Sequence, residues 1–169
     1  MKIFLIGMMG SGKTYLSKLI ADKIKFTFYD LDQIIEKRAG VEINNIFEEQ
    51  GELYFRKIET EELGKFENKN NLVLATGGGT PCFNNNMNWM NKHGITIWLN
   101  EPLDIICERL MKEKATRPLL KNKKNIEPYL KELLASRIDF YKKATYHFTY
   151  SDYNFNNLIS TINQLKENE

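Results

Sequence analysis

The chain has 169 residues, 42% of them hydrophobic and 27% charged, with 24 basic against 22 acidic side chains and a formal net charge of +2. That length predicts one domain, 1–169, with a full core, and apolar residues spread along the whole chain at low net charge exclude disorder. The charge balance gives no sign of a nucleic-acid binder, and no run approaches the ~18 apolar residues that a membrane span requires. Lys2–Ile6 is a short apolar run that predicts a strand. Gly7-Met8-Met9-Gly10-Ser11-Gly12-Lys13-Thr14 follows it and reads G-x-x-x-x-G-K-[ST], a complete P-loop. Leu16, Leu19, Ile20 and Ile24 then recur at helical spacing over Thr14–Ile24. Strand, loop and helix are the context that the motif needs. Its glycines let backbone N–H groups turn inward onto phosphate oxygens, and the helix N-terminus adds partial positive charge. Lys13 then reaches the β- and γ-phosphates, and the Thr14 hydroxyl suits Mg²⁺.

Phe26–Tyr29 predicts a second strand, which runs into Asp30-Leu31-Asp32. If the strand continues that far, its period of two puts both carboxylates on one side, at the carboxyl edge beside the P-loop. One could then support the metal while the other accepts a hydroxyl proton. The competing reading is a helix cap, because Asp30 followed by Gln33 resembles a capping box. Positions 33–65 read as a mostly helical insertion before the third strand. Within it, Phe55-Arg56-Lys57-Ile58-Glu59 sets Arg56 among apolar neighbours.

Leu72–Ala75 predicts the third strand and leads into Thr76-Gly77-Gly78-Gly79-Thr80-Pro81. Three glycines at a strand's carboxyl end make room for a ligand or another backbone; the alternative is a plain turn with Pro81 starting a helix. Asn84-Asn85-Asn86 reads as polar loop. Thr96–Leu99 predicts the fourth strand, and Leu103, Ile106, Cys107, Leu110 and Met111 follow a helical stripe. The polar stretch at about 112–125 reads as a lid presenting Arg117 to a transferring phosphoryl group, with its lysines as solvated loop.

The helix Ile126–Lys143 carries the stripe Ile126, Tyr129, Leu130, Leu133, Leu134, then Arg137, then Tyr141. Arg137 thus stands where a hydrophobe is expected. It is either a snorkelling arginine or a guanidinium held inward for a carboxylate or phosphate. Tyr146–Tyr150 predicts the fifth strand, and Leu158, Ile162 and Leu165 mark a last helix behind a cap at Asp152 or Asn154. Strands alternating with helices imply a parallel α/β sheet with right-handed crossovers. The two cysteines, Cys82 and Cys107, match no metal or redox spacing, and the apolar stretch before Gly7 is too short for a secretory signal. A cytoplasmic domain is expected. His93 and His147 have no partner at a catalytic spacing and receive no role.

Taken together, the P-loop, the Asp-x-Asp pair, Phe55-Arg56-x-x-Glu59, Gly77-Gly78-Gly79, Arg117-Pro118-Leu119-Leu120 and Arg137-x-x-x-Tyr141 resemble the shikimate kinase family in residue type and order, from Met1 to about Tyr150. The resemblance implies a three-layer α/β/α P-loop kinase fold with five parallel strands in the order 2-3-1-4-5. It implies transfer of the γ-phosphoryl group of ATP to the 3-hydroxyl of shikimate, in a monomer. ATP contacts are implied at Gly10, Ser11, Gly12, Lys13, Thr14, Tyr15, Arg109 and Arg117, and Mg²⁺ at Thr14 and Asp30. Asp32 is implied to bind the acceptor hydroxyls as candidate base, with Lys13 and Arg117 as its catalytic companions. Arg56 and Arg137 would clamp the shikimate carboxylate, and Gly77, Gly78 and Gly79 would line its site. The chain departs from the pattern at Asp139, where many relatives carry proline. Another kinase of the same fold, for gluconate or a nucleotide, leaves the Arg56/Arg137 pair unexplained. A non-catalytic ATP-binding relative would be marked by loss of Lys13, Asp32 or Arg117, and all three are present.

Overall fold

A computed structural model of the chain describes residues 1–112, 126–149 and 155–167. Its elements are β1 (Lys2–Ile6), α1 (Lys13–Ile24), β2 (Thr27–Asp30), α2 (Leu31–Ala39), α3 (Ile43–Gly64), β3 (Leu72–Ala75), α4 (Asn86–His93), β4 (Ile95–Asn100), α5 (Leu103–Lys112), α6 (Glu127–Tyr141), β5 (Tyr146–Thr149) and α7 (Phe155–Glu167). The strands form one sheet in the order β2-β3-β1-β4-β5, and every pairing is parallel.

The three layers follow from the period of two in the strands. Ile3 and Leu5 of β1 turn to one face, where Leu16, Ile20 and Ile24 of α1 and Leu158, Ile159 and Ile162 of α7 cover them. Phe4 and Ile6 turn to the other face and meet Met87 and Met90 of α4, Ile106 and Leu110 of α5, and Leu130 and Tyr141 of α6. Strands buried on both faces are apolar at consecutive positions, as β1 and β3 are. Each fully buried side chain of this size contributes roughly 1.5–3 kcal/mol. No helix of the described residues is long and apolar enough to cross a membrane.

The insertion between β2 and β3 consists of α2 and α3, clipped together where Arg38 donates to Glu62 (2.7 Å) and Glu61 (2.9 Å). α3 is broken at Gly51, whose φ of 81° and ψ of 170° lie outside helical space.

Several sequence expectations need correction. β2 ends at Asp30 and α2 begins at Leu31, so Asp32 lies in a helix and strand alternation does not bring the two carboxylates together. The Asn84–Asn86 run is not all loop: Asn84 and Asn85 take positive φ, and α4 starts at Asn86 and buries Met87 and Met90. Pro81 does start a helix, but only the single 3₁₀ turn Thr80–Cys82. β4 is longer than expected by one residue at each end, and α6 is shorter by Ile126 at one end and by Lys142 and Lys143 at the other. The expected lid with Arg117, the caps at Asp152 or Asn154, and Tyr150 lie outside the described residues.

Candidate active site

In a parallel sheet, ligands gather beyond the carboxyl ends of the strands, beside the point where the order reverses. Here β1 is that point, with β3 on one side and β4 on the other. The loop after β1 turns at Gly10 and Gly12, with φ of 76° and 89°, values that side chains rarely adopt. Lys13 folds back over this loop and donates from Nζ to the carbonyls of Gly7 (2.9 Å) and Met8 (2.8 Å). The buried ammonium is therefore held at the mouth of the loop. Thr14 Oγ1 donates to Asp30 Oδ2 at 2.7 Å, and Gln33 N donates to Asp30 Oδ1 at 3.3 Å. The helix-cap reading of Asp30 therefore holds, and its other oxygen is tied to the P-loop threonine.

Asp32, in the first turn of α2, faces the same space. Burial pushes its carboxyl up from the ordinary 3.8 to about 6, with the Asp30 charge as the second cause and Lys13 opposing. Such a carboxyl is closer to the range in which a group can accept a proton near neutral pH.

The glycine run after β3 is short of side chains because charged groups converge on it. A Cβ on Gly77 would lie 2.8 Å from Asp32 Oδ1 and 2.9 Å from Glu59 Oε1. One on Gly78 would lie 3.2 Å from Arg137 Nη1, and one on Gly79 would collide with the Arg56 guanidinium. None of the three has positive φ, so close approach is the requirement. The Gly78 carbonyl accepts from the Tyr141 hydroxyl at 2.5 Å, which ties the run to α6.

The two arginines of this region are held differently. Arg56 is buried and donates to Glu59 Oε2 from Nη1 (2.9 Å) and to Glu52 Oε1 from Nε (3.1 Å) and Nη2 (3.0 Å). Glu59 is fully buried and also accepts from Thr80 Oγ1, while the guanidinium carbon of Arg56 lies 4.3 Å from the centre of the Phe83 ring. Arg137 is half-buried on the inner side of α6 and has no carboxylate partner among the described residues; its neighbour is the Tyr141 phenol. Burial pushes that phenol above its ordinary range, so it stays a neutral donor.

These groups border two cavities. The first, about 690 Å³, is lined by the P-loop, Asp30, Asp32, Thr76, Glu101, Arg109 and Phe148. Arg109 lies over the loop, donating from Nη1 to the Gly10 carbonyl (3.2 Å) with Nη2 3.2 Å from Glu101. The exposed Tyr15 is also on this wall. The second cavity, about 720 Å³, is lined by Phe47, Glu52, Arg56, Glu59, Gly77, Gly78, Gly79 and Arg137 among others. Met9, Asp32 and Gly78 belong to both walls. Cys82 also lines the second cavity, but burial pushes its thiol up to about 11, and a thiol in that state is no nucleophile.

All the sequence-identified residues within the described part therefore come together, from six separate stretches of chain. Glu52, Thr80, Glu101 and Tyr141 carry no role in the sequence reading, nor does Glu59 within its motif. Glu52, Arg56 and Glu59 stand at i, i+4 and i+7, a spacing that puts them on one helix face, and that is the available signal.

The arrangement has known counterparts. The family model described as shikimate kinase matches residues 9–165. The shikimate kinase of Azobacteroides pseudotrichonymphae is 40% identical over 164 residues, 95% of this chain and 96% of that one. The crystal structure of shikimate kinase from Bacteroides thetaiotaomicron superposes with a TM-score of 0.89 at 36% identity, covering 98% of both chains. The solved structure of shikimate kinase from Acinetobacter baumannii in complex with shikimate gives 0.86 at 34% identity, over 99% of this chain and 93% of that one. Agreement of this extent, in sequence and in backbone alike, makes the chain a member of the shikimate kinase family.

Proposed function

We propose that this chain transfers the γ-phosphoryl group of ATP to the 3-hydroxyl of shikimate, giving ADP and shikimate 3-phosphate. The observation that carries the reading is the shared wall of the two cavities, where Asp32, Met9 and Gly78 face both. A nucleotide in the first and a carboxylated polyol in the second would meet across Asp32. The Arg56 and Arg137 guanidinia give the second cavity two cations for a carboxylate, which a neutral sugar does not need.

In this reading the Gly10, Ser11 and Gly12 backbone cradles the phosphates, and Lys13 leaves its carbonyl partners for phosphate oxygens. Asp32 takes the proton of the attacking hydroxyl, while Arg109 and Tyr15 border the nucleoside. Arg117 is proposed as the lid arginine that neutralises charge on the transferring group. Catalysis of this kind rests on positioning and charge stabilisation. α2 and α3 serve as the acceptor-binding insertion of a single domain 1–169, since they line the second cavity and add no strand to the sheet. The free cysteines suit a reducing, cytoplasmic setting.

Mg²⁺ fits the oxygens beside the loop. Thr14 and Asp30 would hold it, directly or through water, as hard donors of the kind that bind this ion together with phosphate oxygens. Among the described residues no three His, Cys, Asp or Glu side chains form a cluster of their own for a metal. A bound Mg²⁺ would supply neutralisation of phosphate charge.

A coupled assay of ADP release tests the assignment. Turnover should depend on shikimate and on Mg²⁺, with little on gluconate or AMP. Equal rates with AMP, or full activity in excess EDTA, would sink it. Gly79→Ala supplies a second check. A methyl pushed against the Arg56 guanidinium should cost roughly 1–3 kcal/mol, or about five- to 150-fold in the shikimate KM, at an unchanged KM for ATP. An unaltered shikimate KM would show that Arg56 can move without loss.

A further inference from the structure

Arg56 faces two carboxylates of different kinds. Glu59 is fully buried and bonded to Arg56 and to Thr80. Glu52 is 52% exposed, has no other bonding partner among the described residues, and uses a single oxygen to hold both Nε and Nη2. A guanidinium offers two edges to a bidentate carboxylate: Nε with one terminal nitrogen, and the two terminal nitrogens together. Glu52 occupies the first, and Glu59 takes one N–H of Nη1. A further carboxylate must therefore exchange with Glu52 to gain the Nε edge of Arg56. Only Glu52 can leave, because a half-exposed ion pair is worth about 1 kcal/mol or less while a buried one is costly to break.

Local charge argues the same way. The second cavity holds Arg56 and Arg137 against Asp32, Glu52 and Glu59, so an anionic acceptor enters a site with no surplus of cations. Swinging Glu52 to solvent removes one negative charge, so the site keeps the net charge it had before the acceptor entered. Glu52 can do this because it directly follows Gly51, where the helix is interrupted, so it starts a new helical segment.

We propose that Glu52 is a positioning residue that sets acceptor affinity: its carboxylate holds the Arg56 guanidinium until an acceptor bearing its own carboxylate exchanges for it. The exchange is close to neutral for a carboxylate, which replaces both bonds and the charge. A neutral analogue replaces neither. Glu52 thus lowers affinity for the acceptor by the cost of its own release, and its charge opposes an anionic acceptor more than an uncharged one. This rests on the shikimate reading above, with the substrate carboxylate at Arg56.

The test is steady-state kinetics on the full chain at saturating MgATP, comparing wild type with Glu52→Gln and Glu52→Ala. Both variants should lower the shikimate KM by roughly three- to fivefold, the range set by the release of a half-exposed pair, with kcat within about twofold. Inhibition by the neutral carboxamide analogue of shikimate, which gains nothing from the lost negative charge, should strengthen less than shikimate binding does. Thermal melts establish that both variants fold. A shikimate KM that rises makes Glu52 a fixed brace of Arg56 and overturns the proposal, as does a KM unchanged within twofold. A wild-type chain without shikimate-dependent turnover removes the acceptor reading itself, and this proposal with it.

Discussion

Replacing Asp32 with asparagine should lower kcat on shikimate by roughly 10²–10⁴-fold, the span that a positioned general base contributes. MgATP binding should hold or tighten. Asp32 borders both cavities, and its loss removes a negative charge that faces the phosphates. The same substitution should stabilise the protein free of nucleotide and divalent metal. Burial and Asp30 raise the Asp32 carboxyl from 3.8 to about 6 in the folded chain, so ionising it costs stability. The sign is opposite to that of a salt-bridged aspartate: stability from this group is full below about pH 4 and is lost as pH rises through 6. An asparagine at this position cannot ionise and escapes the loss. Since Asp32 is only half-buried, the gain at pH 8 is put at roughly 1 kcal/mol, or about 2–4 °C in Tm, and near zero at pH 4. Calorimetry at both pH values beside stopped-assay kinetics measures both effects. Wild-type kcat in the asparagine variant would leave Asp32 with no part in catalysis.

Asp32 also shows which parts of the site are legible in sequence and which are not. The P-loop can be read because its chemistry is local: loop geometry and phosphate contacts lie within eight consecutive residues, Gly7 to Thr14. Asp30 and Asp32 stand out in the sequence for a reason that the structure replaces. A strand end and a helix start bring them together, and the capping box that looks like a competitor is part of how Asp30 is held. The glycine run announces close approach, but what approaches is Asp32 from α2, Arg56 and Glu59 from α3, and Arg137 from α6. Sequence spacing cannot report such convergence, since it depends on the parallel register of β1, β2 and β3.

Glu52 and Glu59 escape a sequence reading for a different reason. Charged residues at i, i+3 and i+4 are commonplace on solvated helix faces, and only burial separates this triplet from those. α4 is hidden by the asparagines before it, whose loop chemistry is real at Asn84 and Asn85 but stops one residue later. Arg137 is legible because it interrupts an apolar stripe, and an interruption stands out where an addition to a polar face does not.

Arg137 and Arg56 give opposite expectations when each is changed to methionine. Arg56→Met would leave Glu59 buried with one cation fewer, and breaking such a pair by removing one partner costs about 3–5 kcal/mol of stability. Arg137 has no carboxylate partner among the described residues and lies on the stripe that includes Leu130, Leu133 and Tyr141. Arg137→Met should therefore leave Tm unchanged or slightly raised, since an uncompensated guanidinium is exchanged for a side chain that suits the stripe. Activity should move the other way. Losing a charge-assisted contact to the substrate carboxylate costs roughly 2–5 kcal/mol, or about 30- to several-thousand-fold in kcat/KM for shikimate. Arg137→Lys should restore only part of it, because an ammonium lacks the planar fork. The KM for ATP should barely change, as Arg137 borders only the second cavity. A melt and a shikimate titration on the three proteins decide between roles. A snorkelling arginine predicts no change in either measurement and a structural ion pair predicts that both fall, so an unaltered shikimate KM in Arg137→Met takes Arg137 out of the site.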